Sequence, residues 1–325
     1  MSARHVLSLL LTYCVSAVAL AQAYPNRPVR LIVPFPPGGA ADLGARVLAQ
    51  PLQEAWGQSV VVENRGGSSG IVASELAAKA PPDGYTLFLA TDGPFVVNPF
   101  MFKNLPYDPV KDFIPISLVA LVPSALFVTS ELVPSNNLAE FVAFVKARPG
   151  QINYASAGIG SPHHLAMETL KAMAGIELSQ ISYKGGAPAV QDVLAGRVHA
   201  VFGGLSSMFT YMSAIKSGKL KVFAVSTAKR SSLAPELPTV AEQGYPGFEV
   251  NAWMAVVVPR GTARSITEQL ERDVVRITQS PTFRERMAAT GSEPVGSTGE
   301  ELRAMIDREQ ARNNGLIRSL NIRPE

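Results

Sequence analysis

The stretch Val29-Arg30-Leu31-Ile32-Val33-Pro34-Phe35-Pro36-Pro37-Gly38-Gly39-Ala40-Ala41-Asp42 holds three structural signals in a row. Five residues rich in branched apolar side chains read as a buried strand, and the proline and glycine cluster that follows reads as a turn. Leu43, Val47, Leu48, Leu52, Ala55 and Trp56 then recur at helical spacing, with Pro51 predicting a kink because a proline inside a helix removes one bond. The same unit starts again at Val60-Val61-Val62, turns through Gly66-Gly67-Ser68-Ser69-Gly70 and enters an alanine-rich helix ending at Ala80. Pro81-Pro82-Asp83-Gly84 is another turn, before a strand over 85–90. Strand, turn and helix in repeated order predict an α/β fold whose sheets are mostly parallel and flanked by helices.

Outward from this unit, an apolar stretch over 116–129 is long enough to leave one domain and enter a second. The rhythm then restarts. Helices are expected over 138–145, 162–174 and 188–195, and strands over 153–155, 181–183, 198–202 and 221–225. Residues 252–258 read as a second crossing strand, leading to amphipathic helices over 265–279 and 298–319. A chain that begins one lobe, builds another and returns implies two lobes joined by two crossing strands. The expected divisions are 1–23 as a signal peptide, 24–126 and 249–325 as lobe 1, and 127–248 as lobe 2.

The N-terminus carries the compartment signal. Arg4 and His5 precede an apolar run over 6–20 and the small-residue end Ala21-Gln22-Ala23, the pattern of a cleaved secretory signal. Cleavage there would start the mature chain at Tyr24 and place it in the periplasm, with no direct membrane insertion. A retained anchor is the alternative. The single cysteine, Cys14, lies in the removed segment, and the bulky Tyr13 beside it disfavours lipid attachment. No later stretch reaches the ~18 uninterrupted apolar residues of a membrane helix. The formal charge of +3 falls to +2 when 1–23 are removed, since they carry Arg4 and no acid. Scattered lysines and arginines argue against a nucleic-acid partner, which requires clustered positive charge.

Candidate chemistry gathers where strands open into helices. In open α/β sheets ligands bind beyond the carboxyl ends of the strands, where helix N-termini offer unbonded N–H groups and positive potential. Such junctions lie at 36–42, at Thr91-Asp92-Gly93-Pro94, at Gly158-Ile159-Gly160-Ser161-Pro162, and at Tyr183-Lys184-Gly185-Gly186-Ala187-Pro188. In the third, Ser161 suits the N-cap, Pro162 the first helical position, and Gly158 and Gly160 allow close approach to the backbone. A carboxylate there could accept backbone N–H bonds and one from Ser161; a well-capped helix that binds nothing is the competing reading. Asp42 suits the first helical turn, where it either caps or orients the glycine loop. Phe35 either lines the cleft or packs in the core, and Thr91 and Asp92 either meet a ligand or shape a turn. Lys184 either pairs a carboxylate or faces solvent.

Catalytic readings find little support. Gly66-Gly67-Ser68-Ser69-Gly70 matches the G-x-S-x-G form of a hydrolase nucleophile turn, yet it comes before most of a hydrolase sheet could exist. His163, His164 and His199 are the mature chain's histidines. Ser161 and His164 are spaced for local capping, and adjacent His163 and His164 would point about 100° apart on a helix, a poor metal pair. No catalytic residue, metal site or cofactor is expected.

The chain resembles the Bug receptors, the periplasmic binding components of tripartite tricarboxylate transporters. The resemblance runs from Tyr24 to the last helix. It is carried by Val33-Pro34-Phe35-Pro36-Pro37-Gly38-Gly39 with Asp42 and Ala45-Arg46, by Val62-Glu63-Asn64-Arg65, and by Pro82-Asp83-Gly84-Tyr85-Thr86-Leu87. Tyr107-Asp108-Pro109, Asn153-Tyr154-Ala155-Ser156, Gly160-Ser161 with His164-Leu165, Tyr183-Lys184-Gly185, Pro238-Thr239-Val240-Ala241-Glu242 and Trp253 continue it. The resemblance implies a type II periplasmic-binding-protein fold, a monomer that holds a small carboxylate between lobes and delivers it to membrane transporter subunits. A ligand sensor that signals to a membrane histidine kinase is the alternative use of the same fold. By the same resemblance the carboxylate is held mainly by backbone groups and bridging waters at Phe35, Gly38, Gly39, Ala40, Ala41 and Asp42 in one lobe, and at Gly158, Gly160, Ser161 and His164 in the other. Thr91, Asp92, Tyr183 and Gly204 would flank it. Ala41 and the pair Gly203-Gly204 stand where more polar residues are common, which favours an aromatic or aliphatic acid over an amino acid.

Overall fold

The computed structural model describes residues 24–183 and 185–319. The signal-peptide expectation, Cys14 and Lys184 therefore lie outside the described residues. The first lobe opens with β1 (Val29–Val33), α1 (Ala40–Trp56), β2 (Val60–Asn64), α2 (Ile71–Ala78) and β3 (Thr86–Thr91). A π-helical turn (Gly93–Val97) and α3 (Asn98–Met101) lead to β4 (Phe113–Val122). At Pro123 the chain enters the second sheet as β5 (Ser124–Thr129), followed by α4 (Leu138–Lys146), β6 (Asn153–Ser156), α5 (Pro162–Ala174) and β7 (Ser179–Ser182). Then come α6 (Gly186–Leu194), β8 (Ala200–Gly204), α7 (Ser206–Thr210), α8 (Met212–Lys216) and β9 (Leu220–Val225). The chain returns as β10 (Ala252–Pro259), α9 (Arg264–Thr278), α10 (Pro281–Ala289), β11 (Glu293–Pro294) and α11 (Gly299–Ser319).

The strand orders are β11-β4-β10-β3-β1-β2 and β7-β6-β8-β5-β9. In the first sheet β1 pairs in parallel with β2 and β3, while β10 runs antiparallel to both β3 and β4. In the second, β6 is parallel to β7 and β8, and β5 is antiparallel to β8 and β9. Most strands in each sheet thus share one direction, and the sheets are mixed because the strand that arrives from the other lobe is reversed. β3 and β5 are buried along their whole length, as strands covered on both faces require.

Three apolar clusters hold these layers. Leu31, Leu48, Leu52, Val256 and Leu270 pack α1 and α9 on one face of the first sheet. Phe127, Val190, Val193 and Val201 pack α6 on the second. A third runs from Phe88, Phe95 and Trp253 in one lobe to Phe202, Phe141 and Leu165 in the other. α1 runs continuously through Pro51, with Leu48, Ala49 and Leu52 around it buried against the sheet.

The crossing segments are tied to each other. Ser226 N–H donates to the Ser124 carbonyl at 2.8 Å, Ser124 N–H to Ser226 Oγ at 3.2 Å, and Val250 N–H to the Ser226 carbonyl at 3.0 Å. The boundary expected at 126 falls inside β5, and that at 248 falls in the segment before β10. The strand expected over 252–258 as a crossing lies wholly in the first sheet; the segment before it makes the passage. Helix α11 closes on the first lobe, where Gln310 and Asn313 donate to the carbonyls of Phe95 and Val96 at 2.8 and 2.9 Å. Those are carbonyls of the π-helical turn, whose widened backbone gains partners from side chains.

Candidate functional site

At the β1–α1 junction no side chain caps α1. Asp42, 3 % exposed, turns back to accept the Gly38 N–H at 2.9 Å and pairs with Arg46 at 3.0 Å. Burial alone would raise this carboxyl, but the bonds from Arg46, Gly38 and Asn64 hold it below the usual carboxylate range. Asp42 therefore fixes the glycine loop, and the first-turn N–H groups of Ala40 and Ala41 have no hydrogen-bond partner among the described residues. Phe35 is exposed at the strand end, and Gly38 takes φ 89°, a conformation that L side chains rarely adopt.

The β6–α5 junction is built differently. Ser161 caps α5: its Oγ accepts the His164 N–H at 3.2 Å and donates to the Gly158 carbonyl at 2.7 Å. Gly160 N–H donates to His164 Nδ1 at 3.1 Å, which places the imidazole proton on Nε2. Gly158 N–H donates to Ser156 Oγ at 3.2 Å. The donors expected to hold a ligand are thus already committed within the loop. Among the described residues the N–H groups of Ile159 and His163 have no partner, at the positive end of a thirteen-residue helix. Burial pushes the His164 imidazole below its ordinary pKa, against the opposing pull of Glu168, and burial lowers His163 to about 4.

Four buried side-chain atoms among the described residues have no hydrogen-bond partner: Asp42 Oδ1, Thr91 Oγ1, His163 Nδ1 and Arg303 Nη1. Asp42 Oδ1 keeps its ion pair with Arg46 without hydrogen-bond alignment. Three of the four sit at strand–helix junctions. Orphaned buried polar atoms are rare in native structures, which sets these junctions apart from the rest of the described residues. The two lobes meet here: a Cβ on Gly160 would stand 3.3 Å from Val97 Cγ1 of the π-helical turn.

The remaining expected residues divide. Tyr183 gives its hydroxyl to Asp192 at 2.8 Å, and burial with that bond pushes the phenol up to about 12. Its ring packs against the apolar cluster of the second sheet. Gly204 ends β8 opposite Ser124, where a Cβ would make an ordinary contact with Ser206 Oγ at 3.6 Å, whereas a Cβ on Gly203 would collide with Val190 and Phe127. Gly203 is a packing glycine, and the less polar pocket inferred from it rests on Gly204 and Ala41 alone. Asp92 follows β3 and is half-buried, with the Glu309 carboxyl close enough to act on it. Trp253 had only a family likeness to mark it, and Glu309 lies on a helix read as polar surface. The G-x-S-x-G segment forms a tight turn with Ser68 and Ser69 at φ 45° and 53°, and no histidine bonds to it among the described residues.

Comparison with known proteins agrees with this architecture. The family model described as tripartite tricarboxylate transporter family receptor matches residues 44–322. Protein BugT of Bordetella pertussis is 39 % identical over 305 residues, covering 94 % of this chain and 92 % of that one. The R. palustris protein Rpa4515, solved with adipate, superposes with a TM-score of 0.79 at 36 % identity over 93 % of this chain and 100 % of that chain. MatC of Rhodopseudomonas palustris, with bound malate, superposes at 0.72 with 29 % identity over 90 % and 100 % of the two chains. Two mixed sheets joined by crossing segments thus go with a likeness to solute-binding relatives across nearly the whole chain, and the protein belongs to the Bug receptors, the periplasmic solute-binding receptor family of tripartite tricarboxylate transporters.

Proposed function

We propose that the protein captures a small organic carboxylate between its lobes and delivers it to a tripartite tricarboxylate-type transporter in the membrane. The observation that carries the reading is the pair of helix starts whose N–H groups have no partner among the described residues, Ala40 and Ala41 on α1 and Ile159 and His163 on α5. Oxyanions are the ligands such N–H groups and dipoles favour. Solved relatives that hold adipate and malate support the same ligand class. Buried Ala41 and exposed Phe35 and Ile159 supply apolar surface beside the N–H groups, which suits a carboxylate on a hydrocarbon body. Export through residues 1–23 would place the mature protein in the periplasm.

The test is titration calorimetry of the mature protein against adipate, hexanoate and benzoate, with glucose as a neutral control. Saturable one-to-one binding of a carboxylate, without turnover, is expected. Binding of glucose with silence for all three acids would overturn the reading.

A further inference from the structure

The crossing segments are not the only tie between the lobes. β11 is a two-residue strand on the edge of the first sheet, where Glu293 stands opposite Leu121 of β4, just before the chain leaves that sheet at Pro123. The half-buried Glu293 carboxylate accepts a hydrogen bond from the hydroxyl of Ser231, which lies in the second lobe beyond β9. Ser231 is 1 % exposed, and its Oγ accepts the Leu233 N–H at 3.1 Å, which leaves its proton for Glu293. The turn that leads into β11 meets the second lobe too: a Cβ on Gly291 would stand 2.5 Å from Ser206 Cβ and 3.2 Å from Ser206 N at the start of α7. The bonds of Ser124, Ser226 and Val250 lie on the crossing segments themselves, so a rotation of the lobes turns about them. Ser231 and Glu293 come from segments that meet only because the lobes face each other in this arrangement, in which Gly160 also reaches Val97.

We propose that the Ser231–Glu293 hydrogen bond is a latch between the lobes, which holds them together around a captured ligand and sets how quickly that ligand leaves without touching it. The inference goes beyond the carboxylate reading, since it concerns how the lobes close and not what they hold. A ligand between two lobes leaves when they part, and parting them takes the Ser231 hydroxyl from Glu293 and Ser206 from Gly291. The bond runs to a charged acceptor, the stronger class of hydrogen bond, from a hydroxyl already oriented by Leu233. Water replaces it in the open form, which limits the bias toward the closed form to about tenfold. Ser231 and Glu293 are thus positioning residues: they act on binding through the share of the protein that is closed.

The experiment joins small-angle scattering of the ligand-free protein to stopped-flow kinetics of adipate binding, on Ser231→Ala, Glu293→Ala, the two together and Glu293→Gln. Each single alanine variant should release adipate about tenfold faster than wild type with association no slower, and its ligand-free radius of gyration should rise. The double variant should release no faster than either single one, because all three lack the same bond. Glu293→Gln keeps an acceptor of the same shape and should release more slowly than Glu293→Ala. Unchanged release or an unchanged radius in both single variants would overturn the latch. So would additive effects in the double variant, or equal release from Glu293→Gln and Glu293→Ala. Should Ser231→Ala fail to fold, the two Glu293 variants decide. If adipate binds to no form, the carboxylate reading falls and the ligand-free radius decides the latch: a larger radius in the alanine variants supports it, and an equal one overturns it.

Discussion

Ser161→Ala separates a residue that builds the loop from one that touches ligand. The structure assigns both hydrogen bonds of Ser161 Oγ locally, 2.7 Å to the Gly158 carbonyl and 3.2 Å from the His164 N–H. Loss of an N-cap of this kind costs about 1 kcal/mol, or about 2–4 °C in Tm for a chain of this size. If the whole of that loss also loosened the ligand site, affinity would fall about fivefold. A direct bond from Ser161 to a ligand carboxylate would instead be worth roughly 1.5–3 kcal/mol, a loss of about ten- to a hundredfold. Ser161→Asp supplies the converse. It caps α5 as well as serine does and sets a negative charge where the helix favours one, yet that charge would repel an incoming carboxylate. The expected outcome is a Tm equal to or above wild type with adipate affinity reduced more than about tenfold. Thermal melts and calorimetry on the two variants give the answer. A loss of thirtyfold or more in Ser161→Ala at unchanged Tm, or full affinity in Ser161→Asp, would refute the reasoning.

Other consequences follow from the same geometry. Asp42 is held below the usual carboxylate range, so its contribution to stability is present above the unfolded-state value of about 4 and is lost as pH falls through the folded-state value; urea melts of Asp42→Asn should depend less on pH than wild type below about pH 4. Gly291 sits at φ 75° with its missing Cβ 2.5 Å from Ser206 Cβ in the other lobe. Gly291→Ala should therefore cost at least about 1 kcal/mol in a melt and enlarge the radius of gyration in scattering; an unchanged radius would mean that this contact does not set the lobe spacing. Intact mass of the exported protein should match a chain beginning at Tyr24 with no lipid, and a diacylated Cys14 would contradict that expectation.

Local signals made much of the fold legible. Ser161-Pro162 and Gly175 bracket α5, so its start and stop are written in cap chemistry. The α/β alternation and the crossing near 116–129 follow from period and length. The π-helical turn at Gly93–Val97 was not legible, because Gly-Pro marks a turn without specifying its hydrogen-bond class, and its carbonyls are completed by side chains more than two hundred residues away. Helix α10 was missed because only Phe283 and Met287 face inward, too few for a periodic pattern. In the candidate site, glycines, Ser161 and Asp42 drew the eye to the strand–helix loops. What they could not reveal is which donors are already used: the bonds within 158–164 and the turn of Asp42 toward Gly38 depend on backbone angles. The Trp253–Glu309 pair joins residues 56 positions apart, and no local pattern announces it.

The central claim is that unbonded N–H groups at two helix starts hold a carboxylate between the lobes. A crystal structure with adipate tests it most directly. The expected result is a carboxylate with oxygens within about 3.2 Å of the N–H of Ala40 or Ala41 on α1 and of Ile159 or His163 on α5. Adipate held by arginine or lysine side chains, Lys184 among them, with those four N–H groups still unbonded, would contradict it.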